Sequence, residues 1–281
     1  MTPALTQAVL PIAGLGTRFL PWTKAVPKEM LPIGNEPIIA LLVDECLNVG
    51  IRDICFVISK GKEMIPQYFA HDEALNAELK RRGKSTLLDQ LARYDSVHFH
   101  TVYQQEQKGD GHAILQAADW IKSPEVAILF GDDLFIGADS ALEQLSKGLS
   151  QCNEEAAIIA VEDIPREKTV RYGIVDPDGV HPKNPRMRSV QGLVEKPAPE
   201  KAPSTLGIVG RYIIPKSTFD VLPTVKSSSK DGEIRLIDAL IAQVGKVPLY
   251  AYACEGTRLD TGTPEGYTHA VCAITPDRGE G

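Results

Sequence analysis

Residues 8–32 read AVLPIAGLGTRFLPWTKAVPKEMLP, and this stretch decides the fold. A short apolar run, 7–12, ends in Gly14-Leu15-Gly16-Thr17-Arg18, the pattern of a buried strand running into a glycine turn. Glycine lets a ligand approach the backbone closely, and successive N–H groups can then face phosphate oxygens. A dinucleotide fingerprint would need a third glycine where Phe19 stands, which argues against a nicotinamide-dependent dehydrogenase. Gly83-Lys84-Ser85 imitates the end of a P-loop, but the first glycine of that motif would fall on Glu78. Between 18 and 29 stand three cations, Arg18, Lys24 and Lys28, against one anion, Glu29. In isolation such a run reads as a solvated loop. Directly after a glycine turn at a strand end, where open α/β sheets bind ligands, it points to a polyphosphate site.

Outward from this turn, strand and helix signals alternate. Apolar residues recur at helical spacing over 37–49, with Glu45 as the polar exception, and Gly50 stops the helix. Residues 54–59 are almost wholly apolar, as in a strand covered on both faces. A charged helical stretch, a strand at 97–103, a helix at 111–121 and a buried strand at 126–130 follow. The second half reads as strands at 156–161, 173–175, 189–194, 207–214 and 247–253, broken by Pro- and Gly-rich turns, with helices at 236–244 and 264–274. Residues 226–232 (KSSSKDG) read as a solvated loop and 276–281 as a frayed tail. The expected fold class is α/β, a mostly parallel mixed sheet covered by helices, in one unit and not two linker-joined domains.

Composition narrows the function classes. Of 281 residues 43% are hydrophobic and 24% charged, which excludes global disorder. A net charge of −7 argues against nucleic acid as a partner. No apolar run approaches the roughly 18 residues that span a bilayer, and the start has no Lys or Arg and carries Pro3 and Pro11, unlike a secretory signal. The five cysteines, Cys46, Cys55, Cys152, Cys254 and Cys272, are odd in number and form no CxxC pair, which suits a reducing cytoplasm. Trp22 and Trp120 read as packing residues, and His112 as a residue that orders its own turn.

The segment GxGTRxLPxTKxxPKEMLP resembles the signature of the sugar-nucleotide pyrophosphorylases, in the form of their bacterial branch that makes UDP-glucose. Further matching blocks follow in the family's order: Gln104 with Gly109-Asp110-Gly111-His112-Ala113, Gly131-Asp132-Asp133-Leu134, Tyr172-Gly173-Ile174-Val175, Val194-Glu195-Lys196-Pro197, Ile208-Val209-Gly210-Arg211-Tyr212, Gly232-Glu233-Ile234 and Asp260-Thr261-Gly262. The resemblance implies a Rossmann-like nucleotidyltransferase fold with an added sugar-binding lobe. The whole chain, 1–281, would be a single domain, its nucleotide part about 1–135 and its sugar-binding and C-terminal part about 136–275.

The implied reaction joins UTP and glucose 1-phosphate into UDP-glucose and pyrophosphate, with thymidylyl transfer, another hexose, or a weakly active regulatory role as alternatives. By resemblance Arg18 and Lys28 would hold the triphosphate and departing pyrophosphate beside the Gly14, Gly16 and Thr17 amides, and Lys196 the sugar phosphate. Ala13, Gly14, Glu29, Gln104 and Gly109 would select the base, although Glu29 could equally be a surface partner of Lys28. Gly173 and Glu195 would face the hexose. Asp132 and Asp260 would ligate Mg²⁺, with Asp133 as the alternative to Asp132 and a turn-capping role as the alternative for both Asp132 and Asp260. A homodimer or homotetramer is the implied assembly. Four positions depart from the pattern: Arg235 and Ile237 replace a usual Gln and Thr, Tyr103 a usual Arg, and Asp110 a usual Leu.

Overall fold

Alternate residues of the central strands bury into two separate cores. In β1 (Gln7–Pro11), Ala8 and Leu10 enter one core and Val9 the other. A computed structural model describes residues 5–227 and 232–275 of the chain. Residues 228–231 of the expected loop, and the expected tail at 276–281, lie outside the described residues. Two short strands, β2 (Pro32–Ile33) and β3 (Glu36–Pro37), form a small ribbon before the helix Ile38–Asn48. That helix is stopped by Gly50, whose φ of +89° few other residues adopt. The chain then builds β4 (Asp53–Ile58), β5 (His98–Tyr103), β6 (Glu125–Leu129), β7 (Asp133–Ile136) and β8 (Ala157–Asp163). It continues with β9 (Gly173–His181), β10 (Asn184–Glu195), β11 (Leu206–Pro215), β12 (Leu249–Ala253) and β13 (Thr257–Asp260).

Among the described residues one sheet of nine strands runs in the order β5-β4-β1-β6-β11-β8-β12-β10-β9. Only β10 and β11 run against the rest, so the sheet is mixed with most strands in one direction. In β4 and β6, as in β1, odd and even residues go to opposite cores: Ile54, Phe56 and Ala127 to one, Cys55, Val57 and Val126 to the other. Such two-sided burial requires helices on both faces. Helices Ile38–Asn48 and Ala141–Leu149 cover the first face, and Asp110–Leu115 and Leu236–Gln243 the second.

From β1 the chain passes to β4 and β5 on one side, then crosses to β6 on the other. The C-terminal ends of β1 and β6 therefore flank a topological switch point, where the two connections diverge and leave a crevice. A second device feeds the same crevice. The ribbon of β7 with β13 pairs Asp133 with Asp260, and Thr261 N–H donates to Asp132 O at 2.7 Å, which brings the late LDTG segment beside the GDD segment.

Among the differences from the sequence expectations are two elements and one tryptophan. The helix expected over 111–121 ends at Leu115 and finishes as a tighter turn, Ala118–Trp120, with the Ile121 N–H shared between the carbonyls of Ala117 and Ala118. The strand expected at 173–175 runs on to His181 through Pro177 and Gly179, which an edge strand beside an irregular partner tolerates. Trp22 is exposed, not packed, whereas Trp120 stacks on His100.

Glu45, the polar exception in an apolar helix, finds its partner across the first core. Arg211 on β11 is fully buried; its Nε donates to Glu45 Oε2 at 2.9 Å, and its Nη2 to Asp133 O at 2.6 Å. Glu45 Oε1 in turn accepts from Leu142 N–H at 2.9 Å. Removing one partner of a buried pair strands the other charge, so Glu45→Ala is expected to cost about 3–5 kcal/mol in urea unfolding. Glu78→Ala, at an exposed pair with Arg81 and Arg82, should leave the midpoint unchanged.

Candidate active site

The glycine turn leaves β1 into the crevice, and its two glycines answer different needs. Gly16 has φ +64°, and a Cβ there would lie 3.0 Å from Thr23 Cγ2, so the turn itself requires it. It precedes the tight turn Thr17–Phe19, and Thr23 Oγ1 donates to Gly16 O at 2.8 Å. Around Gly14 a Cβ would meet nothing within 4 Å. Among the described residues no contact demands a glycine at 14, and this residue borders a cavity.

Three adjoining cavities line the C-terminal edge of the sheet, and Phe130 borders all three. The first, of about 250 Å³, is bordered by Ala13, Gly14, Lys28, Glu29, Gln104 and Gly109. The second, of about 390 Å³, is bordered by Arg18, Asp132, Lys196, Arg258 and Asp260. The third, of about 180 Å³, is bordered by Gly173, Glu195, Lys196, Arg235 and Ile237. The structure thus gathers residues separated by more than two hundred positions. Gly16 and Thr17 border none of the three; they shape the turn behind Gly14.

Glu29 is 1% exposed, and its Oε2 lies 2.9 Å from Lys62 Nζ, which also donates to Ile12 O at 2.6 Å. The alternative of a surface pair with Lys28 is therefore wrong: the partner is the buried Lys62. Burial pulls the Lys62 ammonium below its ordinary pKa, with Glu29 opposing that shift. Lys62 went unnoticed in the sequence, where its only signal is its place just past the end of β4. Gln104 Nε2 donates to Gly109 O at 2.9 Å, and lies 3.1 Å from His112 Nδ1, so the histidine does order this turn.

Lys28 Nζ stands 3.0 Å from Asp132 Oδ2. Burial pushes the Asp132 carboxyl up, but the Lys28 ammonium and its hydrogen bond, with Arg18 behind, hold it below the usual carboxylate range. Asp133 points the other way, accepting from Gly210 N–H at 2.8 Å and from Arg258 Nε at 2.5 Å, and burial raises its pKa. Alternation along an extended chain divides the two aspartates into one that faces the crevice and one that anchors β7. Asp260 Oδ1 accepts from Gly262 N–H at 2.9 Å, so it does cap its turn. A Cβ on Gly262 would lie 2.9 Å from Asp260 Oδ1, 3.2 Å from Asp132 Oδ2 and 3.3 Å from Arg18 Nη1. Two carboxylates and a guanidinium converge on the bare face of Gly262.

At the third cavity Lys196 is the one non-glycine residue with positive φ, +46°, among the described residues. Backbone strain of this kind costs on the order of 1–3 kcal/mol and gathers at functional sites. Lys196 Nζ lies 3.1 Å from Glu195 Oε1. A Cβ at Gly173 would lie 2.5 Å from Ile237 Cδ1, so the space above this glycine is partly filled by Ile237.

The model of the family described as "Nucleotidyl transferase" matches residues 7–276. The chain belongs to the nucleotidyl transferase family. It is 40% identical over 264 residues to the UTP–glucose-1-phosphate uridylyltransferase of Staphylococcus haemolyticus, covering 94% of this chain and 90% of that protein. Among solved structures it resembles a UDP-glucose pyrophosphorylase complexed with UDP-glucose, with TM-score 0.85, 33% identity, and coverage of 96% of this chain and 98% of that one. It is equally similar to a UTP-bound enzyme of this kind from Acinetobacter baumannii, with TM-score 0.85, 33% identity, and coverage of 97% and 95%. A putative glucose-1-phosphate thymidylyltransferase from Bacillus anthracis, 19% identical with TM-score 0.75, shares the fold alone. The fold here is a helix-covered sheet with its crevice at the switch point.

Asp110 borders the first and third cavities and accepts the Leu236 N–H at 2.7 Å, which caps the helix Leu236–Gln243. Burial pushes its carboxyl up to about 6, against the pull of the Leu236 N–H and Arg235. The folded protein therefore binds this proton more tightly than an unfolded Asp with a pKa of ~3.9. Stability from this group is greatest below that value and declines as pH rises through about 6. Asp110→Asn is expected to remove that part of the decline, read as the difference between wild-type and variant urea midpoints from pH 4 to 7.

Proposed function

We propose that this chain forms UDP-glucose and pyrophosphate from UTP and glucose 1-phosphate. The observation that supports the reading is three adjoining cavities that share Phe130 and are lined by the residues assigned here to base, phosphates and hexose, within a family relationship extending over nearly the whole chain. In the reaction an oxygen of the sugar phosphate attacks the α-phosphorus of UTP in line. A new P–O bond forms, the α–β bridge bond breaks, and its electron pair leaves on pyrophosphate. The attacking group is already an anion, so no protein nucleophile or general base is required.

The barrier lies in bringing two polyanions together. Two like unit charges ~4 Å apart repel by ~1 kcal/mol in water and by ~4 kcal/mol at an effective dielectric of ~20. Several such pairs form at once, so fixed cations and fixed orientation must supply the catalysis. Lys28 at the first cavity and Arg18 at the second hold the triphosphate and the departing pyrophosphate, with the Gly14 backbone beside them. Lys196 holds the sugar phosphate. Ala13, Gly14, Glu29, Gln104 and Gly109 read the base, with Glu29 oriented by Lys62. Glu195 accepts hydroxyl hydrogen bonds from the hexose against Gly173.

Asp132 and Asp260 suit a hard divalent cation, and Mg²⁺ is the ion proposed. Both are oxygen donors, both border the second cavity, and an oxygen of each lies within 3.2 Å of the point where a Cβ on Gly262 would be. Among the described residues no third acidic, histidine or cysteine side chain joins them, which leaves the other positions to phosphate and water, as Mg²⁺ prefers. Bound there, the ion would supply charge neutralisation for the phosphates. The continuous sheet supports treating 1–281 as one domain, with a nucleotide part about 1–135 and a sugar part about 136–275. A cytoplasmic homodimer or homotetramer completes the proposal; among the described residues no helix is long and apolar enough to cross a membrane.

Pyrophosphate release, measured with each nucleoside triphosphate against each hexose 1-phosphate, should be fastest for UTP with glucose 1-phosphate. Equal rates with dTTP, or none with UTP, would count against the base assignment. Asp132→Asn and Lys196→Ala are each expected to lower kcat by about 10²–10³-fold with a cooperative urea transition retained. Near-normal turnover in either variant would remove that residue from the mechanism.

A further inference from the structure

Three residues that depart from the family pattern, Asp110, Arg235 and Ile237, form one cluster in the fold. The segment 233–237 clasps the 109–111 turn. Gly111 N–H donates to Ile234 O at 3.0 Å, Ile234 N–H donates to Lys108 O at 2.8 Å, and Asp110 Oδ1 accepts from Leu236 N–H at 2.7 Å. The fit is close: a Cβ at Gly109 would lie 2.3 Å from Ile234 O, and one at Gly111 2.7 Å from the Arg235 carbonyl carbon. Asp110 is bonded to the residue between Arg235 and Ile237, so it fixes where both side chains begin.

Those side chains end on Glu195 and Gly173. Arg235 Nε lies 3.6 Å from Glu195 Oε1, the same oxygen that stands 3.1 Å from Lys196 Nζ. The other oxygen, Oε2, turns toward Gly173 and lies 3.3 Å from where a Cβ there would be. Ile237 Cδ1 approaches that same point to 2.5 Å. One oxygen of the carboxylate is therefore held by two cations. Its other oxygen lies by the bare backbone of Gly173, whose open side the Ile237 methyl also approaches, and Glu195, Gly173 and Ile237 all border the third cavity.

We infer that Arg235 is a positioning residue for hexose recognition, and that Ile237 makes the pocket select a hexose 1-phosphate presenting a hydroxyl to Glu195 and an apolar ring face or deoxy carbon to Ile237. The inference rests on reading this cavity as the hexose site. A carboxylate already oriented by two cations loses less freedom on binding a sugar hydroxyl than a swinging one. A sugar hydroxyl pressed against Ile237 would surrender water and gain no partner, which disfavours substrates that carry one there.

Steady-state kinetics on the full chain test both parts, using UTP with glucose 1-phosphate and its 2-, 3-, 4- and 6-deoxy analogues. Arg235→Gln is expected to raise KM for glucose 1-phosphate about tenfold while KM for UTP stays within about twofold, and Arg235→Lys to recover part of the loss. Wild type should turn over at least one deoxy analogue within about threefold of the parent sugar, and Ile237→Thr should shift that preference toward the parent by about tenfold. An unchanged sugar KM in Arg235→Gln, or an equal rise in KM for UTP, overturns the positioning role. An unaltered analogue ranking in Ile237→Thr overturns the selectivity. If wild type turned over no hexose 1-phosphate at all, the functional reading itself would fall, and this inference with it.

Discussion

A guanidinium sealed from water holds the active-site edge of this protein in place. Arg211 sits on β11, next to β6 in the sheet, and grips Glu45 from the first helix while also donating to the carbonyls of Phe130, Gly210 and Asp133. A buried charge of this kind is costly unless every donor finds an acceptor in good geometry. Here the acceptors lie on both sides of Asp132. Satisfying Arg211 thus fixes the GDD segment against the sheet, and with it the aspartate that meets Lys28.

From that anchor the charge pattern of the crevice follows. Asp132 faces in and Asp133 faces back, so one acidic pair serves two ends: one carboxylate toward the ligand space, the other tying Gly210 and Arg258. Arg258 lies within reach of Glu162 and Tyr172 as well, which links the ribbon of β7 and β13 to the strand that opens the third cavity. The cationic face is built from the opposite side, where β1 ends and Arg18 and Lys28 follow. Opposed sets of this kind are preorganised. The protein spends folding energy to fix them, so little reorganisation is needed when phosphate charge arrives.

Much of the site was legible because its chemistry is written locally. Gly14, Arg18 and Lys28 lie within fifteen residues of one another, and cations clustered after a glycine turn carry meaning without tertiary information. Asp132 could be placed at a strand end by the apolar run before it. Lys62 could not, because nothing near it in sequence says that its ammonium turns inward to Glu29 and Ile12 O. Ile237 read only as a missing hydroxyl; the fold shows a methyl set directly over Gly173. Asp110 read as an oddity beside the base loop, and proves to be the cap of a helix more than a hundred residues later.

By itself the sequence determined the alternating α/β pattern, the glycine turn and the sign of the charge that follows it, since these rest on periodicity and backbone sterics within short windows. The tertiary structure alone decided which charges pair, which aspartate faces the crevice and what fills the third cavity. Those outcomes depend on burial and on strand order, and both arise from contacts between residues far apart along the chain.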